Sequence, residues 1–319
     1  MIFEKKVLRE YKKQTFERCD DLGVAYYFSS DDFEGLKKHE YSFKAGQGHK
    51  LQGYFYWYDN PKENRLIIFE HGMGGGHRSY MREIEKIAKK GYMVFSYDHT
   101  GCMQSEGEGT NGFAQSLNDL DNCIKALVNE RKFKENEITV IGHSWGGFSA
   151  LNIAAFYPDL KSIVALSGFS SVKRMIEQYF AGFMHRYSDK VYELEKNANP
   201  KYVKYDAVET LKESNIPTLI IHSADDQMVK RQHFDDMRNV VGDKKGIEFV
   251  LLDGKGHNPN YTEDAVKYKD AFFAQLTEKL KKNQLETPQQ KANFVAEYDW
   301  VKMTNQDEKV WKVIFDFID

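Results

Sequence analysis

The hydrophobic positions of this chain fall into short strand-like runs that alternate with longer amphipathic stretches. The strand-like runs are rich in Ile, Val, Leu and Phe, and the stretches between them have the spacing of helices. The six runs are Leu66–Phe69, Tyr92–Tyr97, Ile138–Ile141, Ile163–Leu166, Thr218–Ile221 and Ile247–Leu252. Because this alternation places helices on both faces of a sheet, it predicts an α/β fold with a mostly parallel sheet.

The segment before the first run has a different pattern. Residues Tyr41–Tyr58 are two β-rich runs around a glycine-containing turn, which predicts an antiparallel hairpin at the edge of the sheet. We therefore predict one domain over residues 1–319, with peripheral helical extensions at residues 1–40 and 284–319.

The alternation stops for about 50 residues after the strand Ile163–Leu166, which is far longer than an ordinary connection. We predict a helical cap here, at residues 169–210. One helical face of this segment is apolar and aromatic, and its candidate substrate-binding residues are Met175, Tyr179, Phe180 and Phe183. Such a stripe is also typical of a helix packed on the core. The position of the insertion, above the carboxyl ends of the strands, favours a cap over the site.

The composition of the chain argues against several classes of binding partner. A net charge of −3, with basic and acidic residues intermixed, gives no electrostatic reason to bind nucleic acid. No segment approaches the roughly 18 apolar residues of a membrane span, and the N-terminus lacks the apolar region of a secretory signal. We expect a cytoplasmic protein without stable membrane insertion. The three cysteines, Cys19, Cys102 and Cys123, lack metal-binding spacing, so we expect free thiols, no metal and no cofactor.

The run Ile138–Ile141 leads into Gly142-His-Ser144-Trp-Gly146, and an Ala- and Leu-rich helix pattern follows. A serine in such a strand-to-helix turn has a strained backbone that exposes its hydroxyl, and glycines two residues on either side allow strand and helix to approach. Ser144 is therefore the candidate nucleophile.

A serine hydroxyl needs a base, an acid that orients the base, and donors for the oxyanion. The candidate base is His257, which lies in a glycine-rich loop after the last strand-like run. Asp225 and Asp226 both follow the run Thr218–Ile221, and we expect one of them to be the acid. The glycine-rich loop after Leu66–Phe69 and the start of the following helix supply the candidate oxyanion donors, the backbone N–H groups of Met73 and Trp145.

The ordered set of motifs resembles the α/β-hydrolase superfamily, particularly its cap-bearing serine hydrolases of the monoacylglycerol-lipase-like and cinnamoyl-esterase-like kind. The motifs that carry the resemblance are His71–Gly76, Asp98–Gly107, Gly142–Gly147, Asp226–Val229 and Gly256–His257. The resemblance covers about residues 40 to 280 and implies the α/β-hydrolase fold.

The resemblance also bears on individual residues. The order Ser144, Asp226, His257 is the one found in this superfamily, and the Asp-x-x-Val setting implies Asp226 as the acid. The second motif departs from the family pattern, because Thr100 stands where Arg is usual and Met103 where Gly is usual.

The expected function is a serine hydrolase that cleaves a small-molecule carboxylic ester with an acyl or aryl group through an acyl-enzyme. Thioester hydrolysis would use the same groups. Proline iminopeptidases also place Trp after the nucleophile, so an aminopeptidase is an alternative, with Glu177, Glu193 and Glu195 as candidate carboxylates for the substrate amine. A hydrolase fold used only for binding predicts a missing triad residue, and none is missing. The oligomeric state stays open.

Overall fold

An eight-stranded sheet forms the centre of the molecule. The computed structural model describes residues 2–319, and the side chains of all of them except Ile2 and Phe183. The strands are β1 (Lys37–Lys44), β2 (Lys50–Trp57), β3 (Leu66–Glu70), β4 (Met93–Tyr97), β5 (Ile138–His143), β6 (Ser162–Leu166), β7 (Thr218–Ser223) and β8 (Ile247–Leu252). They lie in the order β1-β2-β4-β3-β5-β6-β7-β8.

The direction of the strands confirms the predicted sheet. Strand β1 pairs with β2, and β2 pairs with β4, in antiparallel fashion. The remaining neighbours in the sheet, from β4 through β3 to β8, pair in parallel. Strands β3, β5, β6 and β7 are buried along their whole length, which explains their continuous apolar sequences. All six parallel strands therefore end at one edge of the sheet.

Helices cover both faces of the sheet. Their bounds are α1 (Ile2–Thr15), α2 (Met81–Lys89), α3 (Gln115–Asn129), α4 (Trp145–Asn152), α5 (Val172–Tyr179), α6 (Ser188–Ala198), α7 (Ala207–Glu213), α8 (Gln232–Val241), α9 (Glu263–Lys281), α10 (Pro288–Ala296), α11 (Trp300–Met303) and α12 (Glu308–Ile318). Within residues 2–319, no helix is both long and apolar enough to cross a membrane.

The two faces have separate hydrophobic cores because side chains alternate along each strand. Ile68 of β3 packs with α3 and α4, whereas Ile67 and Phe69 pack with α2 and α12. The C-terminal extension therefore covers one face of the sheet. Its buried stripe is Val310, Trp311, Ile314, Phe315 and Ile318.

The insertion between β6 and β7 contains α5, a 3-10 helix (Gly182–Tyr187), α6 and α7. Helix α5 begins after Ser171, whose side chain accepts a hydrogen bond from the Arg174 N–H. Helix α7 packs with α8 on the sheet, in a cluster that includes Val208 and Phe234. Helix α7 therefore belongs to the layer that covers the sheet, and the part of the insertion before Ala207 stays the candidate cap.

The N-terminal extension differs from the expectation in two ways. Strand β1 begins at Lys37, so the predicted boundary at residue 40 falls inside the sheet. Helix α1 is docked on α6, since the buried Tyr11 hydroxyl donates to Glu195 Oε1 at 2.6 Å and Lys190 pairs with Glu4 at 2.6 Å. The amphipathic pattern of α1 predicted a helix, but it did not indicate this contact with the insertion.

Candidate active site

Ser144 lies in the tight turn between β5 and α4. Its backbone has φ 57° and ψ −111°, a conformation that L-residues rarely adopt. The turn depends on glycine, because a Cβ at Gly142 would lie 2.1 Å from the Gly146 carbonyl oxygen, and one at Gly146 would lie 2.2 Å from that of Glu70. The Ser144 N–H donates to the Leu166 carbonyl at 2.8 Å, which ties the turn to β6.

His257 and Asp226 form a hydrogen-bonded pair between the ends of β8 and β7. The Nδ1 of His257 donates to Asp226 Oδ2 at 2.8 Å. The other Asp226 oxygen accepts the N–H groups of Met228 at 2.8 Å and Val229 at 3.0 Å. Burial would raise the pKa of Asp226, but the hydrogen bond and charge of His257 outweigh it and lower the pKa below its usual range. Asp226 is thus held as an anion against the imidazole.

Asp225 has a different role in the structure. Its side chain is exposed and accepts the Ser223 hydroxyl at 2.5 Å and the Gly256 N–H at 3.2 Å. It therefore braces the loop that carries His257, while Asp226 contacts the imidazole itself.

The glycine-rich loop after β3 lies beside the Ser144 turn. Met73 and Trp145 line the same cavity as Ser144 and His257, so their backbone N–H groups stay the candidate oxyanion donors. Trp145 is the first residue of α4, where the positive end of the helix dipole favours an anion. Its indole N–H donates to the Phe113 carbonyl at 2.6 Å, which fixes the start of the helix.

A partly buried hydrogen-bond chain joins three loops around Ser144, and no sequence pattern indicated it. His143 Nε2 donates to the His257 carbonyl at 2.7 Å, so its Nδ1 accepts the Tyr80 hydroxyl at 2.8 Å. The Tyr80 oxygen in turn accepts the Gly72 N–H at 3.1 Å. Burial lowers the pKa of His143 to about 3, which keeps the ring neutral. The chain therefore links the glycine-rich loop after β3, the turn at Ser144 and the loop that carries His257.

The second motif lies behind the site and does not line the cavity. Thr100, which stands where the family usually has Arg, donates its hydroxyl to Asp119 Oδ1 and its N–H to Asp119 Oδ2, both at 2.8 Å. Met103, which stands where Gly is usual, has φ 42°. A Cβ atom on Gly76 would lie only 2.6 Å from the Met103 Cγ atom. Of the two departures, Met103 therefore packs against the glycine-rich loop after β3, whereas Thr100 is bound to Asp119 of α3.

A cavity of about 950 Å³ opens above Ser144. Of the candidate substrate-binding residues, Met175, Tyr179 and Phe180 line it, whereas the side chain of Phe183 lies outside the described residues. The sequence did not identify the other apolar lining residues. They include Phe3, Val7 and Tyr11 of α1, Phe113, Phe169, Met228, Val266 and Phe273; Met184, which belongs to the predicted apolar face of the insertion, lines the cavity too.

The mouth of the cavity carries large apolar side chains that are about half exposed. Phe3 is 49% exposed, Tyr179 51%, Met228 55% and Phe273 49%. These four residues come from α1, α5, the loop after β7, and α9. The apolar character of the cavity therefore continues to the molecular surface.

The three carboxylates proposed for an amine subsite do not line this cavity. Glu195 is buried, and its oxygens accept the Tyr11 hydroxyl and the Phe113 N–H at 2.9 Å. Glu193 is exposed and pairs with Lys196, and Glu177 does not contribute to the lining. The acids that do line the cavity are Glu10 and Asp270, and both are exposed.

The chain is similar in sequence to known hydrolases. Residues 65–198 match the family model of the α/β hydrolase fold. A proline iminopeptidase of Clostridioides difficile is 33% identical over 118 residues, which is 36% of this chain and 39% of that protein. A candidate esterase/lipase of Mycoplasma genitalium is 25% identical over 255 residues, 69% of this chain and 92% of that protein.

A solved structure of an esterase from Pyrococcus furiosus superposes with a TM-score of 0.59 at 19% identity, covering 81% of this chain and 97% of that one. The chain spans half or less of the length of the proline iminopeptidases that it matches. These similarities bear on the fold and on hydrolase chemistry, while the bond that is cleaved has to be argued from the site.

Proposed function

Because the chain belongs to the α/β-hydrolase superfamily, we propose that it is a serine esterase that cleaves carboxylic esters with an apolar acyl or aryl group. The observation that carries the proposal is the pairing of His257 with the buried Asp226 at the wall of the cavity that Ser144 lines. Ser144, His257, Met73 and Trp145 all line this cavity, and Asp226 contacts His257, which supports the proposal.

In the proposed mechanism Ser144 attacks the ester carbonyl while His257 takes the hydroxyl proton. Asp226 holds the imidazole with its proton on Nδ1, which leaves Nε2 free to act as the base. The N–H groups of Met73 and Trp145 stabilise the oxyanion of the tetrahedral intermediate. His257 then gives the proton to the leaving alcohol, and water releases the acid from the acyl-enzyme by the same steps in reverse.

The walls of the cavity favour an ester over an aminoacyl substrate. An aminopeptidase has to hold a charged amine, and a carboxylate does this most strongly where it is shielded from water. The buried carboxylate of the insertion, Glu195, already accepts hydrogen bonds from Tyr11 and Phe113. The remaining acids, Glu10 and Asp270, are exposed, whereas aromatic and methionine side chains make up much of the cavity lining. An apolar acyl or aryl group fits this lining.

The test is a panel of nitrophenyl esters from acetate to laurate, assayed beside proline and alanine nitroanilides and a butyryl thioester. We expect ester turnover that Ser144→Ala abolishes, with a fluorophosphonate adduct on the Ser144 peptide of the wild type. Thermal unfolding of Ser144→Ala checks that the variant is folded. Faster cleavage of the anilides would favour a peptidase, and faster cleavage of the thioester a thioesterase. A wild type that the fluorophosphonate does not label would support a binding protein.

A further inference from the structure

Two of the three cysteines are adjacent in space although they are far apart in the sequence. Cys19 follows α1, and Cys102 lies in the loop after β4. The two residues are paired directly in a short parallel β-bridge, with Cys19 N–H donating to the Gly101 carbonyl at 2.9 Å and Met103 N–H to the Cys19 carbonyl at 3.0 Å. The two thiols lie close enough for each to shift the pKa of the other.

This geometry suits a covalent bond between the two sulfurs. Paired strands lie about 4.8 Å apart, within the range of about 4.4–6.8 Å that Cα atoms span in disulfides. Both cysteines are free thiols, Cys19 partly exposed and Cys102 fully buried. An oxidant can therefore reach Cys19 from solvent, while Cys102 lies behind it.

The surroundings of Cys19 favour its thiolate. The hydrogen bond from Cys102 is the largest effect, and together with the Gly74 N–H and the nearby Arg18 charge it outweighs burial and lowers the pKa of Cys19 to about 7. The interaction with Cys19, together with burial, raises the pKa of Cys102 well above its usual value. Arg18 also donates to the carbonyls of Ser105 and Gly107 and so holds the two segments together.

We propose that Cys19 and Cys102 are a reversible disulfide site, in which peroxide oxidises Cys19 and Cys102 then forms the bond. The Cys19 thiolate attacks one peroxide oxygen, the O–O bond breaks, and the leaving hydroxide is protonated to water, which gives a sulfenic acid. The Cys102 sulfur, as it loses its proton, attacks the Cys19 sulfur and expels the second oxygen as water. Two thiols lose two electrons and two protons, and one peroxide becomes two waters.

The site also touches the catalytic region. The N–H of Gly74, which follows Met73 in the glycine-rich loop, helps to lower the pKa of the Cys19 thiol. A disulfide sulfur is a weaker acceptor than a thiolate, so oxidation loosens this loop. The effect on turnover rests on the proposed function, because it assumes that the Met73 N–H stabilises an oxyanion.

The experiment treats the reduced, full-length protein with hydrogen peroxide and maps its peptides by mass spectrometry without reduction. We expect a cross-linked Cys19–Cys102 peptide, a fall from three titratable thiols to one in denaturant, and full reversal by dithiothreitol. Cys123→Ala is the matched control and should still form the cross-link. Cys19→Ser and Cys102→Ser should not. Thiols that persist, or sulfinic and sulfonic acids without a cross-link, overturn the proposal.

Ester turnover is measured on the same samples. We expect oxidation to lower kcat by about two- to tenfold, the effect of losing one hydrogen bond, and Cys19→Ser to be insensitive to peroxide. A cross-link in a protein that hydrolyses no ester would refute the esterase and leave the disulfide site intact. A cross-link that leaves kcat unchanged would refute the coupling to the Gly74 loop.

Discussion

Asp225 and Asp226 are adjacent after β7, but their side chains have different roles. The turn directs Asp226 towards the imidazole of His257, at 2.8 Å, and Asp225 towards the Gly256 N–H, at 3.2 Å. Both carboxylates have pKa values below the usual range, with burial outweighed by hydrogen bonds. Charge alone therefore does not distinguish them, and the direction of each side chain does.

Replacing each aspartate by asparagine tests this assignment. We expect Asp226→Asn to lower kcat for a nitrophenyl ester by about 10³- to 10⁴-fold, because the amide cannot hold the imidazole in its working tautomer. Asp225→Asn is the matched control and should stay close to the wild type, since its carboxylate only braces a loop. Near-normal turnover by Asp226→Asn together with an inactive Asp225→Asn would reverse the two roles.

Helix α1 is the element whose role changes most between sequence and structure. Its pattern of Phe3, Val7, Leu8 and Tyr11 predicts an amphipathic helix without indicating its partner. In the structure α1 forms one wall of the cavity, and the contact between Tyr11 and Glu195 fastens it to α6. Burial raises the pKa of Glu195 to about 7, although the hydrogen bonds from Tyr11 and from the Phe113 N–H oppose the rise.

Removing the Tyr11 hydroxyl tests the contact between α1 and α6. We expect Tyr11→Phe to lower the free energy of unfolding by about 1–3 kcal/mol, because a buried carboxylate oxygen loses its donor. KM for long-chain esters should rise more than kcat falls, since α1 lines the cavity but carries no catalytic group. Urea unfolding and steady-state kinetics measure both effects.

Tyr26→Phe is the matched control, because the Tyr26 hydroxyl also donates to a carboxylate, that of Asp32, but in an exposed position. It should leave stability and kinetics nearly unchanged. Equal effects of the two substitutions would contradict a structural role for the buried pair.

At the scale of the whole molecule, acid stability depends on buried carboxylates that are held as anions. Asp98 accepts the N–H and the Nδ1–H of His77, both at 2.8 Å, and the N–H of Gln104 at 3.1 Å. Burial would raise its pKa, but the charge and hydrogen bonds of His77 outweigh burial and lower the pKa to about 2. Since the usual value is 3.8, the folded state binds this proton less readily than the unfolded chain.

This difference gives a pH dependence with a defined sign. The stabilisation by Asp98 is fully present above pH 3.8 and is lost as the pH falls towards about 2. A shift of this size corresponds to about 2 kcal/mol. We expect Asp98→Asn to be less stable than the wild type at pH 7 and to lose less stability between pH 5 and pH 3, as measured by urea unfolding.

Asp59→Asn provides the control for this prediction, because Asp59 is an exposed partner of Lys37. It should follow the acid dependence of the wild type. If the stability of Asp98→Asn fell as steeply between pH 5 and pH 3 as that of the wild type, other groups would be responsible for the loss of stability in acid.

The local sequence pattern was sufficient to predict the six parallel strands, the hairpin at the edge of the sheet and the turn at Ser144. Apolar runs and helical periodicity report which face of an element is buried, and Gly142 and Gly146 report a close approach of backbones. The ends of parallel strands meet at one edge, so the same reasoning brought Ser144, His257 and an aspartate together.

The partners of those elements depended on tertiary packing. The choice between Asp225 and Asp226 from the residues alone, the docking of α1 on α6, the His143–Tyr80 chain and the Cys19–Cys102 pair all join segments that no periodicity connects. Each contact depends on how segments far apart in the sequence lie relative to one another in the fold. A local pattern carries no information about the distance between such segments. The strands therefore follow from sequence, whereas the walls of the cavity follow from the fold.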